Sequence, residues 1–231
     1  MELFFFIIVG VAVLAIGAYF AYLAEKKRRE EVAAFAAAHG FRFDPGPDSS
    51  HDDEYAHFEI FCRGHSRVAK NMFRGDLEID GRSYGLDGGD FRYKVTSGSG
   101  KNRSTRTYTF SYLILHLPFD CPDLLIRSEG MFDKIAGVFG FEDIDFESEE
   151  FSRRFHVKSP DKRFAYDVCH PRMMEFLLGD FPATLDLEHG RLCFADGSRR
   201  WPAPTFESRL AWLRAWFERW PEHLLVDLER T

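Results

Sequence analysis

The sequence predicts an α+β protein in which an N-terminal transmembrane helix continues into a juxtamembrane helix and then a mostly antiparallel mixed α+β soluble domain. Three observations support this fold class. Residues 3–24 carry no charge and are apolar apart from two glycines. Residues 25–39 contain strong helix formers and no helix breaker. Between residues 72 and 118 the hydrophobic period changes to two, which is typical of strands.

The apolar run of residues 3–24 is long enough to cross a bilayer, since about 20 helical residues span a hydrocarbon core of about 30 Å. Outside this run the chain is about 40% apolar, which is ordinary for a water-soluble domain. A wholly soluble protein, a disordered chain and a multi-span transporter are therefore excluded. Only Met1 and Glu2 precede the run, so it lacks the basic region of a cleaved signal peptide, and we expect it to be retained.

The charges beside the run predict its orientation. Lys26, Lys27, Arg28 and Arg29 follow it directly, and positive charge next to a span stays in the cytoplasm. We therefore expect a single-pass protein of the bacterial inner membrane with its soluble domain in the cytoplasm. The same four side chains are predicted to anchor the chain by binding anionic headgroups of the lipid bilayer. The four cysteines are scattered, which is consistent with a reducing compartment.

Small residues on one face of the span suggest self-association. Gly10, Gly17 and Ala21 share roughly one helix face, and small residues four apart let helix backbones approach closely in lipid. A homo-oligomer through this face is thus a possible assembly, although alanine-rich spans often produce the same pattern by chance.

The domain organisation follows from these segments: residues 1–24 form the anchor, residues 25–40 the basic juxtamembrane helix, and residues 41–231 the soluble α+β domain. In the first half of the domain we predict a strand at 41–43, a helix at 50–61, and strands between 72 and 118. A turn at Asp80-Gly81 and a long polar loop at 97–106 connect those strands. In the second half we predict strands at 123–126, 143–147, 155–157, 184–187 and 192–194, with a hairpin turn at 188–190 between the last two. We also predict helices at 128–140, 171–178 and from 204 to 220, followed by a short tail.

One acidic segment resembles a calcium-binding loop. Asp76, Glu78, Asp80 and Asp87 occupy positions 1, 3, 5 and 12 of such a loop, and Gly81 occupies position 6, where a sharp turn is needed. However, apolar residues alternate with the first three acids, and flanking helices are missing. A β-hairpin turning at Asp80-Gly81 explains the same pattern, so these four residues are only weak metal candidates.

Other motifs give no catalytic site or cofactor. The Gly98–Lys101 segment lacks the first glycine and the final Ser or Thr of a phosphate loop, and the polar loop around it either is a solvated hairpin tip or contacts an anionic partner or lipid. Cys169 and His170 are adjacent, and adjacent side chains on extended backbone point apart. Trp212, Trp216 and Trp220 recur every four residues, which favours core packing over a membrane surface. The net charge of −7 argues against nucleic acid as a partner.

Several short motifs resemble a widespread bacterial family of membrane-anchored proteins that is classed as a domain of unknown function. They are residues 144–147 (IDFE), 155–157 (FHV), 165–166 (AY) and 170–174 (HPRMM), with Phe151 between them. The resemblance is best over residues 113–178. It implies one or more N-terminal spans and a mixed α+β soluble domain, and it brings no established activity or catalytic residue.

The leading functional hypothesis is a cytoplasmic binding or scaffold domain that is held at the membrane and binds an unknown protein partner, with no recognisable catalysis. One alternative is a membrane-tethered enzyme such as a hydrolase, which a cleft lined by convergent polar groups would favour. Another is a calcium- or lipid-responsive sensor, based on the acidic segment and the basic helix.

Overall fold

The computed structural model describes residues 2–128, 143–181 and 184–230. A single helix, α1 (Glu2–Ala38), leads into the domain. The remaining elements follow in this order: β1 (Arg42–Asp44), α2 (His51–Glu54), α3 (Glu59–Cys62), β2 (His65–Ile79), β3 (Arg82–Ser97), β4 (Ser104–His116), β5 (Leu124–Ser128), α4 (Glu149–Arg154), β6 (Phe155–Lys158), α5 (Lys162–Val168), α6 (Pro171–Gly179), β7 (Thr184–Glu188), β8 (Arg191–Ala195), α7 (Ala203–Phe217) and α8 (Glu222–Glu229).

The strands form one antiparallel sheet of eight, in the order β1-β2-β3-β4-β8-β7-β5-β6. The predicted α+β fold class is therefore confirmed. Two hairpins turn where the sequence predicts them: Asp80 and Gly81 have φ of 49° and 75°, and His189 and Gly190 have φ of 52° and 68°. Two successive residues with positive φ make the tight turn whose twist matches that of the flanking strands.

The two faces of the sheet are covered differently. The first face packs against α1, α7 and the other helices of the second half, and it contributes the larger core, which includes Phe73, Leu113 and Phe194. The three tryptophans predicted to pack in the core do so, with exposed fractions of 0–6%. The second face is covered in part by the short segment of α2 and α3, whose Tyr55, Phe58 and Phe61 are fully buried against β3 and β4.

Helix α1 is continuous over 37 residues. Its N-terminal part exposes large apolar side chains, and the described residues contain one helix, Phe6–Ala38, that is long and apolar enough to cross a membrane by length and composition. Its C-terminal part packs on the domain through Val32, Phe35 and Ala36. The predicted continuation of the span into the juxtamembrane helix is thus present, and it ends before Gly40, which has a φ of 70°.

Several element predictions are wrong. The helix predicted over 50–61 is two short helices, and Ser50 makes no side-chain cap hydrogen bond. Residues 143–147 form no strand, and the short tail after Pro221 is helix α8. Helices α4 and α5 were not predicted, because each is shorter than two turns and therefore shows little periodicity in the sequence. The helix predicted over 128–140 lies almost wholly outside the described residues.

Candidate binding cleft

The acidic segment that resembles a calcium loop is a β-hairpin. Asp76 and Glu78 lie exposed on β2, and Asp80 lies in the turn. Asp87 lies on β3, where it pairs with Arg74 of β2 and is buried. The four carboxylates do not converge, and no group of three or more His, Cys, Asp or Glu side chains within the described ranges is arranged to hold a metal ion. The geometry therefore supports the hairpin interpretation of this segment.

Asp87 is instead the centre of a polar cluster on the second face of the sheet. The Tyr55 hydroxyl donates a hydrogen bond to Asp87 Oδ2 at 2.7 Å, and His116 Nε2 donates to the same oxygen at 2.9 Å. Arg74 donates through Nε to Oδ1 and through Nη2 to Oδ2. Alternation along β3 and β4 brings Asp87 and His116 to the same face, and α2 supplies the residue after its last turn, Tyr55. We call these four residues the Asp87 cluster.

The Asp87 cluster lies at a cleft of about 270 Å³ between α2, the loop after β1, and strands β2 and β3. His51 lines this cleft. Its side chain is 4% exposed and packs against the rings of Tyr55, Phe61 and Tyr112. Its Nε2 atom is buried and has no hydrogen-bond partner among the described residues. A buried polar atom at a cleft is a donor or acceptor that a bound molecule or water can use.

The environment fixes the protonation states in the cleft. Burial alone would raise the pKa of Asp87, but hydrogen bonds from His116, Arg74 and Tyr55 outweigh it and hold that pKa well below its usual range. Burial lowers the pKa of His51 to about 4. Burial and then the Asp87 charge raise the pKa of Tyr55 far above its usual range. At neutral pH the cleft therefore presents a carboxylate, a neutral imidazole and a phenol.

The mouth of the cleft carries charges of both signs. Arg42 and Arg74 face each other on β1 and β2, and Asp44, Asp48 and Glu54 line the same opening. The side chain of Arg74 is 60% exposed, so guanidinium donors remain in contact with solvent. Because the Asp87 carboxylate already accepts hydrogen bonds from three side chains, the cleft is better suited to recognising a polar or charged group than to abstracting a proton.

A second, smaller cavity of about 50 Å³ lies on the same face between α3 and strands β5 to β8. Its floor includes Asp186, whose carboxyl neighbours that of Glu188 two residues along β7 and whose Oδ1 atom has no partner among the described residues. Burial and the neighbouring carboxyl raise the pKa of Asp186, and burial raises that of Glu188 to about 7. Arg127 and Lys158 line the same cavity.

The four residues predicted to anchor the chain at lipid do not act alike. Lys26, Lys27 and Arg29 are exposed, as headgroup binding requires. Arg28 is only 7% exposed, and its guanidinium forms two hydrogen bonds with Asp90, at 2.8 and 2.7 Å. The prediction is therefore wrong for Arg28, because this side chain points into the domain and contacts β3.

The Arg28–Asp90 pair belongs to a larger buried network. Arg28 also donates to the Trp201 carbonyl at 2.7 Å and to Ser111 Oγ at 3.1 Å. Asp90 accepts further bonds from Ser111 Oγ at 2.6 Å and Asn71 Nδ2 at 3.2 Å. Every charged group in this network thus has a partner, which is the condition for a stable buried ion pair. The network fixes the C-terminal part of α1 to the sheet.

Two further contacts hold α1 beside the start of α7. Glu31 accepts a hydrogen bond from the Ala203 backbone N–H at 2.7 Å, and Glu25 pairs with Arg200 at 2.7 Å. Glu31 therefore satisfies one backbone donor at the first turn of α7, where helix N–H groups lack partners.

The other residues and segments that the sequence analysis singled out do not come together in one site. Cys169 is buried, and His170 bonds the Arg219 carbonyl through Nε2 at 2.8 Å, so the two adjacent side chains have different surroundings. Gly10, Gly17 and Ala21 lie on the exposed part of α1. The polar loop is the exposed tip of the β3–β4 hairpin.

The role of Arg28 had a signal in the sequence. Arg28, Val32, Phe35 and Ala36 recur at i, i+4, i+7 and i+8, which is one face of a helix, so Arg28 continues the buried stripe. Tyr55, Arg74 and Asp87, in contrast, come from three elements, and only the hairpin register brings the last two together.

No protein-family model matches the sequence, and no curated protein matches it. Among solved structures, the crystal structure of the mycobacterial trehalose monomycolate transport factor A, TtfA, is similar with a TM-score of 0.48 and 13% sequence identity, over 84% of this chain and 96% of that chain. A likeness this distant does not extend to function.

Proposed function

We propose that this protein is a single-pass membrane-anchored binding protein whose α+β domain recognises a partner through the cleft at the Asp87 cluster. The observation that carries the proposal is helix α1: one half exposes an apolar surface long enough to cross a bilayer, and the other half is fixed to the sheet by the buried Arg28 network. A helix built in this way holds the domain in a fixed relation to the membrane surface.

The proposal includes the location and the assembly. The cluster of Lys26, Lys27 and Arg29 supports insertion with the domain in the cytoplasm, at the inner membrane of a bacterium. The motifs at residues 144–174 support membership of the bacterial family of membrane-anchored proteins described above. Small residues on the exposed part of α1 support a homo-oligomer, and the cleft supports an additional protein partner.

The proposal is tested first by location. Alkaline carbonate should leave the full-length chain in the membrane pellet. A reporter that is active only in the cytoplasm, fused after residue 231, should be active. Release of the chain by carbonate would contradict the anchor, and a periplasmic reporter would contradict the orientation.

The binding role is tested by affinity purification from detergent-solubilised membranes followed by identification of partners. Arg74→Ala changes the exposed arginine that binds Asp87 at the cleft, and Arg172→Ala changes an exposed arginine on α6 as a matched control. A partner recovered with the wild-type chain and the control, but lost with Arg74→Ala, supports the proposal. Recovery that is equal for all three chains argues against the cleft.

The convergence of Tyr55, His116 and Arg74 on Asp87 also favours a second candidate, a membrane-tethered hydrolase, at the neighbouring opening of about 430 Å³ that His116 lines. In that case His116, which is one-third exposed, is the residue able to exchange a proton with a substrate. Turnover of any member of a panel of ester and phosphoester substrates, abolished by His116→Ala, would support the enzyme and overturn a purely binding role.

A further inference from the structure

The β3–β4 hairpin runs along α1 toward the membrane-spanning part of that helix. At the C-terminal end of α1, the ring of Phe35 lies 5.3 Å from that of Phe73, which pairs with Gly88 of β3. Seven residues earlier on α1, Arg28 bonds Asp90, two residues further along β3. Each step toward the N-terminus of α1 is thus a step toward the hairpin tip.

A shared cavity extends this alignment of helix and strand by one more step. Glu25 and Arg92 line the same cavity of about 150 Å³. From Phe35 to Glu25 the helix rises about 15 Å, at about 1.5 Å per residue. From Gly88 to Arg92 the strand advances about 13 Å, at about 3.3 Å per residue. The two distances agree, so levels on the helix can be transferred to the hairpin.

The hairpin extends well past the end of the juxtamembrane helix. Strand β3 continues from Arg92 to Ser97, which adds about 16 Å toward the membrane. On α1, Tyr22 and Tyr19 lie only about 5 and 9 Å from Glu25 in the same direction, at about 1.5 Å per residue. The hairpin is therefore long enough to reach past the level of Tyr19 and Tyr22, which are at least 60% exposed and are typical of the membrane–water interface.

The tip has the composition of a surface that contacts anionic lipid. Residues 91–119 contain no acidic residue and five basic ones, in a chain whose net charge is −7. Arg103 and Arg106 are exposed and form no ion pair with the described residues. A polar hairpin cannot enter the hydrocarbon, because unsatisfied polar and charged groups are costly there, so a tip that reaches the bilayer must lie among the headgroups, with α1 tilted to match.

We propose that the β3–β4 hairpin tip is a second membrane contact, at which Arg103 and Arg106 bind anionic lipid headgroups of the bilayer that α1 crosses. This inference depends on the proposed membrane anchoring. With α1 fixed to the sheet by the Arg28 network, a second contact away from the helix axis sets the tilt of the whole domain. The second face of the sheet, with its cleft, would then keep one orientation relative to the membrane.

The two ends of β3 provide the test. The full-length chain carrying Cys62→Ser, which removes the exposed native thiol, is labelled with a fluorophore at Ser99→Cys in the tip or at Ser83→Cys at the opposite end, about 50 Å away. Each chain is placed in nanodiscs that contain lipids with a quencher on the headgroup. We expect strong quenching at position 99 and little at position 83.

Charge reversal and lipid composition then identify the headgroups. In nanodiscs with anionic lipid, Arg103→Glu with Arg106→Glu should reduce quenching at position 99 by about fivefold or more. Lys162→Glu with Arg163→Glu, a matched exposed pair on α5, should leave it unchanged. Replacing anionic by zwitterionic lipid should reproduce the effect of the tip reversal.

The outcomes separate the two proposals. If the chain neither enters nanodiscs nor resists carbonate extraction, the proposed membrane anchoring is wrong. A chain that inserts, but shows equal quenching at positions 83 and 99, overturns the hairpin contact and leaves the anchor intact. Quenching at position 99 that is insensitive to charge reversal overturns the role of the two arginines.

Discussion

Two aspartates three residues apart on β3, Asp87 and Asp90, carry similar networks on opposite faces of the sheet. Each is buried, and each is held by an arginine through two hydrogen bonds and by one hydroxyl group. The hydroxyl is that of Ser111 for Asp90, at 2.6 Å, and that of Tyr55 for Asp87, at 2.7 Å.

The difference between the two networks lies in what covers them. The side chain of Arg28 is 8% exposed beneath α1 and Trp201, whereas that of Arg74 is 60% exposed at the mouth of a cleft. The same chemistry therefore fixes an element of the fold on one face and remains available to a ligand on the other. Burial of the arginine, and not the presence of an ion pair, separates a structural role from a recognition role.

Removal of Arg28 should have the largest effect on stability. Arg28→Ala leaves Asp90 buried without its charged partner, and breaking one side of a buried pair costs about 3–5 kcal/mol. We expect this loss in urea unfolding of the detergent-solubilised chain, followed by tryptophan fluorescence, because Trp201 lies in the network. Arg29→Ala, at the adjacent exposed position, should change the free energy of unfolding by about 0.5 kcal/mol or less.

A double substitution sharpens this result. Arg28→Met together with Asp90→Leu removes both charges, so it should destabilise the chain less than Arg28→Ala does. If Arg28→Ala were no more destabilising than Arg29→Ala, the network would not be holding α1, and the contrast between the two faces would fail.

The buried histidine of the cleft should give the next largest effect, through pH. Because the pKa of His51 is about 4 in the folded chain and ordinarily about 6.5, the unfolded chain takes up the proton first as the pH falls. Stability from this residue is therefore present above about pH 6.5 and lost toward pH 4, by up to about 3 kcal/mol.

His51→Gln should flatten the pH dependence of the unfolding free energy between pH 4 and 6.5, and a smaller slope should remain from His57, whose pKa burial also lowers to about 4. His223→Gln, on the exposed side of α8, should keep the full slope. A wild-type slope in His51→Gln would show that this imidazole is accessible to water in the folded chain.

Asp87→Asn should cost less than the loss of Arg28, about 1–2 kcal/mol at neutral pH, because the exposed Arg74 left behind is hydrated. The depressed pKa of Asp87 means that its contribution is complete above about pH 4 and is lost as the pH falls below that value. The difference between the wild-type chain and Asp87→Asn in urea unfolding should thus shrink at pH 3. Asp76→Asn, exposed on the same face, should be neutral at both pH values. If Asp87→Asn cost as much as Arg28→Ala, the Asp87 cluster would be as structural as the Arg28 network, and the contrast between the two faces would fail.

The sequence predicted what depends on local pattern. The alternation of residues between 72 and 118, and the glycines at 81 and 190, define strands and turns that the structure contains. The networks could not be predicted in this way, because Arg28 and Asp90 are 62 residues apart and Tyr55 and Asp87 are 32 apart. In the run KKRR all four charges look equivalent, and only the helical spacing to Val32 and Phe35 distinguishes Arg28.

Glu188, on the second face of the sheet, should have the smallest effect on stability, and the pH dependence of that effect has the opposite sign to that of His51. Burial, and next the charge of Asp123, raise the pKa of Glu188 to about 7. An acid with a raised pKa holds its proton in the folded chain while the unfolded chain has already released it. Its stability contribution is therefore present below about pH 4.5 and lost as the pH rises through about 7.

Glu188→Gln should remove this loss, so the variant should become more stable than the wild-type chain by about 1 kcal/mol near pH 7, a value reduced for the partial solvent exposure of the group. At pH 4 the two chains should have equal stability, and Glu150→Gln, an exposed control on α4, should match the wild-type chain at both values. Between pH 4.5 and 6.5 His51 and Glu188 thus act in opposite directions on one face of the sheet. A Glu188→Gln chain that is less stable at pH 7 would instead mean that the carboxylate is charged and favourably paired there, and the second cavity would then resemble the Asp87 cluster.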